Sequence, residues 1–136
     1  MTTKAEVFDD SFDCIIGLAY PSMAAKFSTG KHVPLFDSII KNKLLENNVF
    51  AFYLGKDPSV STLTFGWADK SKFSGPLNWH PVRNQVFWSL KLTKVTVEVA
   101  PKKFIHLCEK LKDCLATVDS GTSSITFPSW AYNRTK

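Results

Sequence analysis

The residues with the clearest chemical potential lie in one short stretch, Ala116-Thr117-Val118-Asp119-Ser120-Gly121-Thr122-Ser123. An apolar segment delivers the carboxylate of Asp119 into a turn made of glycine and small hydroxyl residues. Small side chains let backbone N–H groups and hydroxyls approach a carboxylate closely, and glycine permits a tight turn. A carboxylate held in this way stays oriented for acid–base chemistry. The same pattern also describes an ordinary Asp-Ser-Gly turn, so the stretch alone leaves both interpretations open.

The overall composition is that of an ordinary globular domain. The chain has 136 residues, 44% of them hydrophobic, and eleven Phe and four Trp can build a core, which argues against disorder. The net charge of +5 is spread over scattered lysines with only two arginines, so we predict no nucleic-acid partner. No apolar run reaches the roughly 18 residues of a membrane helix, and the polar start at residues 1–6 does not resemble a secretory signal.

The elements around the Asp119 stretch follow a mainly β pattern with one or two short helices. Alternating apolar residues and frequent turns predict strands at 49–54, 62–67, 86–99, 104–108, 115–119 and 124–127. The apolar phase slips by one residue near Thr93-Lys94, which predicts a bulge or bend. A helix is predicted from Pro34 to a stop at Asn47-Asn48, and a second is predicted to begin near Pro128. Residues 22–31 and 83–85 are predicted to be a loop and a turn.

Several segments, taken in order along the chain, resemble the pepsin-like aspartic proteases. Together with the residues around Asp119, the similar segments cover roughly residues 8 to 136. They are Phe12-Asp13-Cys14-Ile15-Ile16-Gly17-Leu18-Ala19-Tyr20-Pro21, Val33-Pro34-Leu35-Phe36-Asp37, Val49-Phe50-Ala51-Phe52-Tyr53-Leu54, Leu63-Thr64-Phe65-Gly66, Phe73-Ser74-Gly75-Pro76-Leu77-Asn78-Trp79 and Phe87-Trp88. The cysteines at 108 and 114 also precede Asp119 as a short-loop disulfide of the family does. The joint match is far more specific than the Asp119 turn by itself.

The resemblance implies a role for each matched site residue. Asp119 corresponds to the second catalytic aspartate, and Ser120 and Ser123 support its loop. The implied substrate-binding residues are Gly121 and Thr122 for the peptide backbone, Phe87 and Thr117 on the primed side, and Phe12 and Ile15 on the non-primed side. For the aromatic residues, a place in the core of a sheet is the alternative. The implied partner is a peptide or protein substrate, and no metal or organic cofactor is implied.

The resemblance also implies a partial pepsin-like bilobal fold. Residues 1–136 correspond to one incomplete peptidase domain, with the junction between lobes within 75–90. An upstream Asp-Thr-Gly motif and a flap tyrosine are absent from this sequence, so we expect the remainder of the enzyme elsewhere. Because the chemistry needs two carboxylates that share a proton, we expect this chain alone to be inactive. An unpaired, exposed Asp119 is expected to titrate near its ordinary value of about 3.9.

Three alternatives remain at this point. One is a catalytically dead pepsin-fold protein that binds or scaffolds. Another is a dimer of this chain that supplies two aspartates, which we disfavour because the Ile15-Ile16-Gly17 support segment precedes Asp119 instead of following it. The third is a zinc module that uses His106, Cys108 and Cys114, with Cys14 as an optional further ligand, although the spacing from 106 to 114 is not a standard one for zinc ligands.

The cysteines indicate the cellular compartment. Spacing and resemblance both favour a Cys108–Cys114 disulfide over two free thiols, which implies an oxidising environment. Together with the family resemblance, this predicts a secreted, vacuolar or lysosome-like protein. Cys14 stands where the family usually has glycine, and we predict it to be a buried, inert apolar residue. Asn133-Arg134-Thr135 is a glycosylation sequon, a triplet that is frequent by chance.

Overall fold

The computed structural model of the chain describes residues 14–24, 26–27, 30–109 and 111–135. These residues form two compact units, one ending at Ser74 and one beginning at Gly75. Each unit has its own antiparallel strand pairs and its own small buried centre. Together they contain two α-helices, and none of the helices in these ranges is long and apolar enough to cross a membrane. The predicted mainly β class with one or two short helices is therefore confirmed.

The first unit is built from two strand pairs and one helix. Its elements are β1 (Lys26–Phe27), β2 (Gly30–Lys31), α1 (Leu35–Lys41), β3 (Phe50–Tyr53) and β4 (Thr62–Phe65). β1 pairs with β2 and β3 pairs with β4, both antiparallel. Phe36 on α1 is buried, with its ring 5.0 Å from the ring of Phe50 and 5.8 Å from that of Phe65. An aromatic cluster thus fastens the helix to the β3–β4 pair.

The helix α1 ends well before the predicted stop at Asn47-Asn48. Lys43 adopts a left-handed conformation with φ of 53°, and its N–H donates to the carbonyl of Ile40 at 3.0 Å. The N–H of Leu44 donates to the carbonyl of Ile39 at 3.2 Å. These two bonds form a Schellman motif, which satisfies the last carbonyls of the helix and turns the chain away. The helix therefore ends at Lys41 and is shorter than the sequence predicts.

The second unit contains a three-stranded sheet, a hairpin and a helix. Its elements are β5 (Val82–Gln85), β6 (Trp88–Lys91), β7 (Val95–Ala100), β8 (Lys103–Leu107), β9 (Leu115–Thr117) and α2 (Ser129–Thr135). The sheet has the order β5-β6-β9 and β7 pairs with β8, all antiparallel. The core is formed by Leu107 at the end of β8 and Ala131 on α2, 2% and 1% exposed, with Cys108 beside them.

The long predicted strand at 86–99 is two strands in different sheets. β6 ends at Lys91, β7 begins at Val95, and the chain bends at Thr93, so the predicted bend at Thr93-Lys94 is confirmed. The one-residue slip in the apolar pattern marks the point where the chain leaves one sheet for another. β6 pairs with β5 and β9, whereas β7 pairs with β8, so each half of the segment has its own strand partners.

Three local predictions are wrong. The predicted turn at 83–85 is part of β5, because polar residues can occupy an edge strand when β6 supplies the backbone partners. The predicted loop at 22–31 contains the short β1–β2 pair. The predicted strand at 124–127 is not a strand, and Ile125 is 86% exposed, because no neighbouring strand pairs with this segment in the described residues.

Candidate active site

The strand β9 carries the chain to Asp119. β9 pairs with β6 through Ser89 opposite Thr117 and Leu90 opposite Ala116. The pairing continues one residue beyond the strand, because the N–H of Val118 donates to the carbonyl of Trp88 at 3.0 Å. Asp119 is the next residue, so the sheet fixes the backbone immediately before the carboxylate.

Both carboxylate oxygens of Asp119 accept a hydrogen bond. The N–H of Gly121 donates to Oδ1 at 2.9 Å, and the hydroxyl of Thr122 donates to Oδ2 at 2.6 Å. A Cβ atom on Gly121 would lie 3.2 Å from Oδ1, which is closer than an ordinary van der Waals contact. The absence of a side chain at this position therefore lets the backbone approach the carboxylate. Two different donors hold the plane of the carboxylate in one orientation.

These hydrogen bonds lower the pKa of Asp119 below its ordinary value. The larger cause is the bond from the Thr122 hydroxyl, the next is the bond from the Gly121 N–H, and slight desolvation opposes both. Hydrogen bonds to the ionised form favour that form. The expectation of an ordinary pKa for Asp119 was wrong, because it ignored donors inside the same turn. The turn presents an exposed, oriented anion that can accept a hydrogen bond from water or from a peptide.

Thr117 takes part in a contact that the sequence did not reveal. Its hydroxyl oxygen lies 3.1 Å from the hydroxyl oxygen of Ser89 across the β6–β9 pair. Ser89 is a buried polar residue, only 3% exposed. Because a buried hydroxyl needs a hydrogen-bond partner, this contact favours the observed register between the two strands. The alternation of apolar Trp88 and Leu90 with Ser89 predicts that Ser89 lies on the polar face of the strand, so both its burial and its partner are seen only in the structure.

The remaining predicted site residues lie in different places. Ser120 and Ser123 are exposed residues of the Asp119 turn, and Phe87, directly before β6, is 43% exposed. Ile15 belongs to the first unit, where it is 64% exposed and lines a shallow apolar depression. Phe12 lies outside the described residues. The structure therefore brings Thr117, Asp119, Gly121 and Thr122 together at the end of β9 as one group.

The cysteines confirm one prediction and contradict another. Cys108 and Cys114 form a disulfide, as predicted, so neither thiolate serves the zinc alternative. Within the ranges that the structure describes, no group of three or more His, Cys, Asp or Glu side chains is placed to hold a metal. Cys14 is an exposed free thiol, and the prediction of burial was wrong. It lies in the stretch 14–17, whose residues are all exposed because no element of the described chain covers them.

Comparison with known proteins identifies the family. The sequence profile described as Eukaryotic aspartyl protease matches residues 1–136. The chain belongs to this family. The resemblance to pepsin-like aspartic proteases is thereby confirmed, and the described strands and helices are consistent with a partial pepsin-like fold.

Individual aspartic proteases share the same region. Cathepsin E-B of Xenopus laevis is 41% identical over 124 residues, which cover 89% of this chain and 29% of that protein. Embryonic pepsinogen of Gallus gallus is 38% identical over 118 residues, and chymosin of Ovis aries is 36% identical over 118 residues. Those matches each cover 87% of this chain and 28% of the relative. The chain thus spans less than a third of the length of these curated relatives.

Proposed function

We propose that this chain is part of an aspartic endopeptidase in which Asp119 is one of the two catalytic carboxylates. The supporting observation is the anchoring of both Asp119 oxygens, by the Gly121 N–H and the Thr122 hydroxyl, directly after a paired strand. A carboxylate with a fixed plane can orient a water molecule toward a substrate carbonyl. Orientation of this kind is a large part of the rate advantage in enzymes.

The proposed reaction is hydrolysis of a peptide bond by an activated water. Two carboxylates close together share one proton, because both cannot easily be ionised at once. The ionised member takes a proton from water, while the protonated member donates a hydrogen bond to the scissile carbonyl. The donors Gly121 and Thr122 favour an ionised Asp119, which suits this residue to the proton-accepting role.

The other proposed roles follow the matched positions of the family. Gly121 and Thr122 also contact the substrate backbone, and Ser120 and Ser123 support the catalytic loop. Thr117 and Phe87 line the primed side of the cleft. Phe12 and Ile15 line the non-primed side. The substrate is an extended peptide or protein segment, and the junction between the two lobes along the sequence lies within residues 75–90.

We further propose that this chain alone is catalytically inactive. Asp119 belongs to the only Asp-Ser-Gly or Asp-Thr-Gly triplet in the 136 residues. A single carboxylate lacks the proton-sharing partner that the mechanism requires, so the remainder of the enzyme must supply it. The alternative of a catalytically dead scaffold predicts no turnover in any context.

A peptide-cleavage assay at acid pH tests these proposals. The 136-residue chain and the longer product of its gene are each assayed as wild type, as Asp119→Ala and as Asp69→Ala. The last variant is a matched control, because Asp69 also has a lowered pKa and accepts a bond from the backbone N–H two residues later. We expect the longer wild-type product and its Asp69→Ala variant to cleave.

In the longer product, Asp119→Ala should reduce turnover at least about 10³-fold, since removal of a catalytic aspartate has an effect of this order. Turnover that survives this change overturns the role of Asp119. Turnover by the 136-residue chain, abolished by Asp119→Ala, contradicts its proposed inactivity. Absence of turnover in a folded longer product would instead favour the dead scaffold.

The disulfide supports a proposal for location. Disulfides persist in oxidising compartments and are rare where thiols are kept reduced. Because Cys108 and Cys114 are bonded, we place the protein in the secretory or endomembrane system, as a secreted, vacuolar or lysosome-like protein.

A further inference from the structure

We propose that Asn133 is a site of N-linked glycosylation. Asn133-Arg134-Thr135 is the one Asn-x-Ser/Thr triplet with a non-proline central residue in the 136-residue sequence. Such a triplet is the acceptor signal for an oligosaccharide in secreted proteins. By itself it is a weak indication, and two structural observations strengthen it.

The first observation is the direction in which Asn133 faces. It lies on α2, whose buried side is marked by Ala131, 1% exposed and part of the Leu107 core. Two residues along an α-helix correspond to a rotation of about 200°, so Asn133 lies on the side opposite Ala131. The residue is exposed. A bulky glycan at this position projects into solvent and leaves the packing of α2 on β8 undisturbed.

The second observation is the disulfide in the same unit. Cys108 directly follows β8, the strand against which α2 packs. The Cys108–Cys114 bond indicates an oxidising compartment of the kind in which sequons are also modified. The inference therefore rests on the proposed secretory location, and it is independent of protease activity.

The short helix does not prevent modification. α2 has seven residues, and an isolated helix of this length is unstable in water. Until it packs against β8, the sequon is free to adopt the extended or turn conformation in which a transferase can bind it. The order of events is therefore transfer first and docking of the helix afterwards.

The transfer step balances without an oxidant or reductant. The donor is an oligosaccharide linked through C1 to a polyisoprenoid pyrophosphate. A bond forms between Nδ2 of Asn133 and C1 of the first sugar, and the bond between C1 and the pyrophosphate oxygen breaks. The pyrophosphate leaves with the bonding electron pair, and Nδ2 loses one proton to a base of the transferase.

Expression in a eukaryotic secretory pathway tests the inference. The full chain is produced behind a cleavable secretory leader, and its intact mass is measured before and after treatment with peptide-N-glycosidase F. Thiol alkylation is measured in the same sample to show that Cys108 and Cys114 are oxidised. We expect a mass increase that the glycosidase removes, leaving aspartate at position 133 of the corresponding peptide.

Three variants identify the acceptor. Asn133→Gln and Thr135→Ala should each lose the mass increase, while Thr135→Ser should keep it, because serine also completes the triplet. A secreted chain with an oxidised disulfide and no glycosidase-sensitive mass overturns the inference. A mass increase that persists in Thr135→Ala overturns the choice of Asn133. Because no outcome depends on peptide cleavage, failure here is distinct from failure of the proposed function.

Discussion

Three aspartates among the described residues open turns in the same way, two in the first unit and one in the second. Asp57, Asp69 and Asp119 each accept a hydrogen bond at 2.9 Å from the backbone N–H two residues later. Asp57 and Asp119 are exposed and Asp69 is half-buried, and the pKa of each is lowered. Neither a turn of this kind nor a lowered pKa is therefore sufficient to mark a catalytic carboxylate.

The difference lies in how the donors are distributed. In the first unit, Ser59 and Ser71 each supply both the backbone and the side-chain hydrogen bonds that lower the pKa of their aspartate. In the second unit, Gly121 supplies the N–H to one oxygen and Thr122 supplies a hydroxyl to the other. Asp57 and Asp69 precede short 3-10 helices, whereas Asp119 follows a paired strand. A strand and two separate donors fix the Asp119 carboxylate.

Among the changes that test this contrast between turns, the largest expected effect comes from the disulfide, which ties the segment before β9. Cys114 immediately precedes β9, and its carbonyl accepts a bond from the N–H of Leu92 at 2.8 Å. Replacing Cys108 and Cys114 by serine should lower the free energy of unfolding of the second unit by about 2 kcal/mol, because the unfolded chain regains the freedom of a short loop. Hydrogen exchange of β9 amides, with β3–β4 amides as an internal reference, measures this.

The matched control is Cys14→Ser, which changes an exposed thiol and should leave both sets of amides unchanged. Equal loss of protection in β9 and in β3–β4 after removal of the disulfide would show that the bond does not act locally. The contrast between the anchored Asp119 turn and the turns of the first unit would then be weaker.

The next largest effect is expected when residues are exchanged between the Asp119 turn and the Asp57 turn. Gly121→Ser puts a Cβ within 3.2 Å of the Asp119 Oδ1, so the carboxylate must shift by a few tenths of an ångström. In the longer enzyme that we propose, we expect turnover to fall about tenfold, because catalysis is sensitive to small displacements of reacting groups. The reverse change, Ser59→Gly, should leave turnover unchanged. Steady-state kinetics measure the turnover of both variants. Equal losses of turnover in Gly121→Ser and Ser59→Gly would contradict the prediction.

The Thr122 hydroxyl is predicted to control the pKa of Asp119. Thr122→Ala should raise that pKa toward its ordinary value, while Thr122→Ser should keep it lowered, because serine retains the hydroxyl. A carbon-13 NMR titration of the Asp119 carboxyl measures the pKa directly. An unchanged pKa in Thr122→Ala would show that the Gly121 N–H alone is sufficient to lower the pKa of Asp119.

The lowered pKa of Asp119 also makes the stability of the fold depend on pH. Since the folded pKa of Asp119 is lowered, its ionised form stabilises the turn above the ordinary pKa. This contribution is lost as the pH falls through the lowered value. The pH dependence of unfolding in Thr122→Ala should therefore be shallower at acid pH than in the wild type.

The smallest effect separates the two turns of the first unit. The largest cause of the lowered pKa of Asp69 is the Ser71 side chain, whereas for Asp57 it is the Ser59 backbone. Ser71→Ala should therefore raise the pKa of Asp69 more than Ser59→Ala raises that of Asp57. The same NMR titration measures both values. Equal pKa changes in the two variants would mean that the serine side chain contributes equally in both turns.

Much of this architecture was accessible from local patterns in the sequence. The small residues after Asp119 indicated a tightly held carboxylate, and the phase slip near Thr93-Lys94 indicated the break between β6 and β7. Both depend on near neighbours along the chain. The Cys108–Cys114 bond closes a loop with a sequence separation of 6, so it too was within reach of local reasoning.

Features that depend on distant partners were missed. The polar residues of β5 form a strand only because β6 pairs with them. The Ser89 hydroxyl is satisfied by Thr117, 28 residues away. The exposure of Cys14 depends on which elements cover it. The end of α1 is a different case, because a lysine in a left-handed conformation is uncommon and gives little signal in the sequence.

The shallow core makes tolerance to substitution uneven along the chain. Among the described residues, the buried apolar side chains are Phe36, Leu107, Cys108 and Ala131. Truncation of a fully buried leucine such as Leu107 leaves a cavity and costs on the order of 2–5 kcal/mol. Trp79, at 77% exposed, has little packing to lose in this chain. Among the described residues, substitutions at these few buried positions are therefore expected to cost more folding stability than substitutions at an exposed side chain such as Trp79.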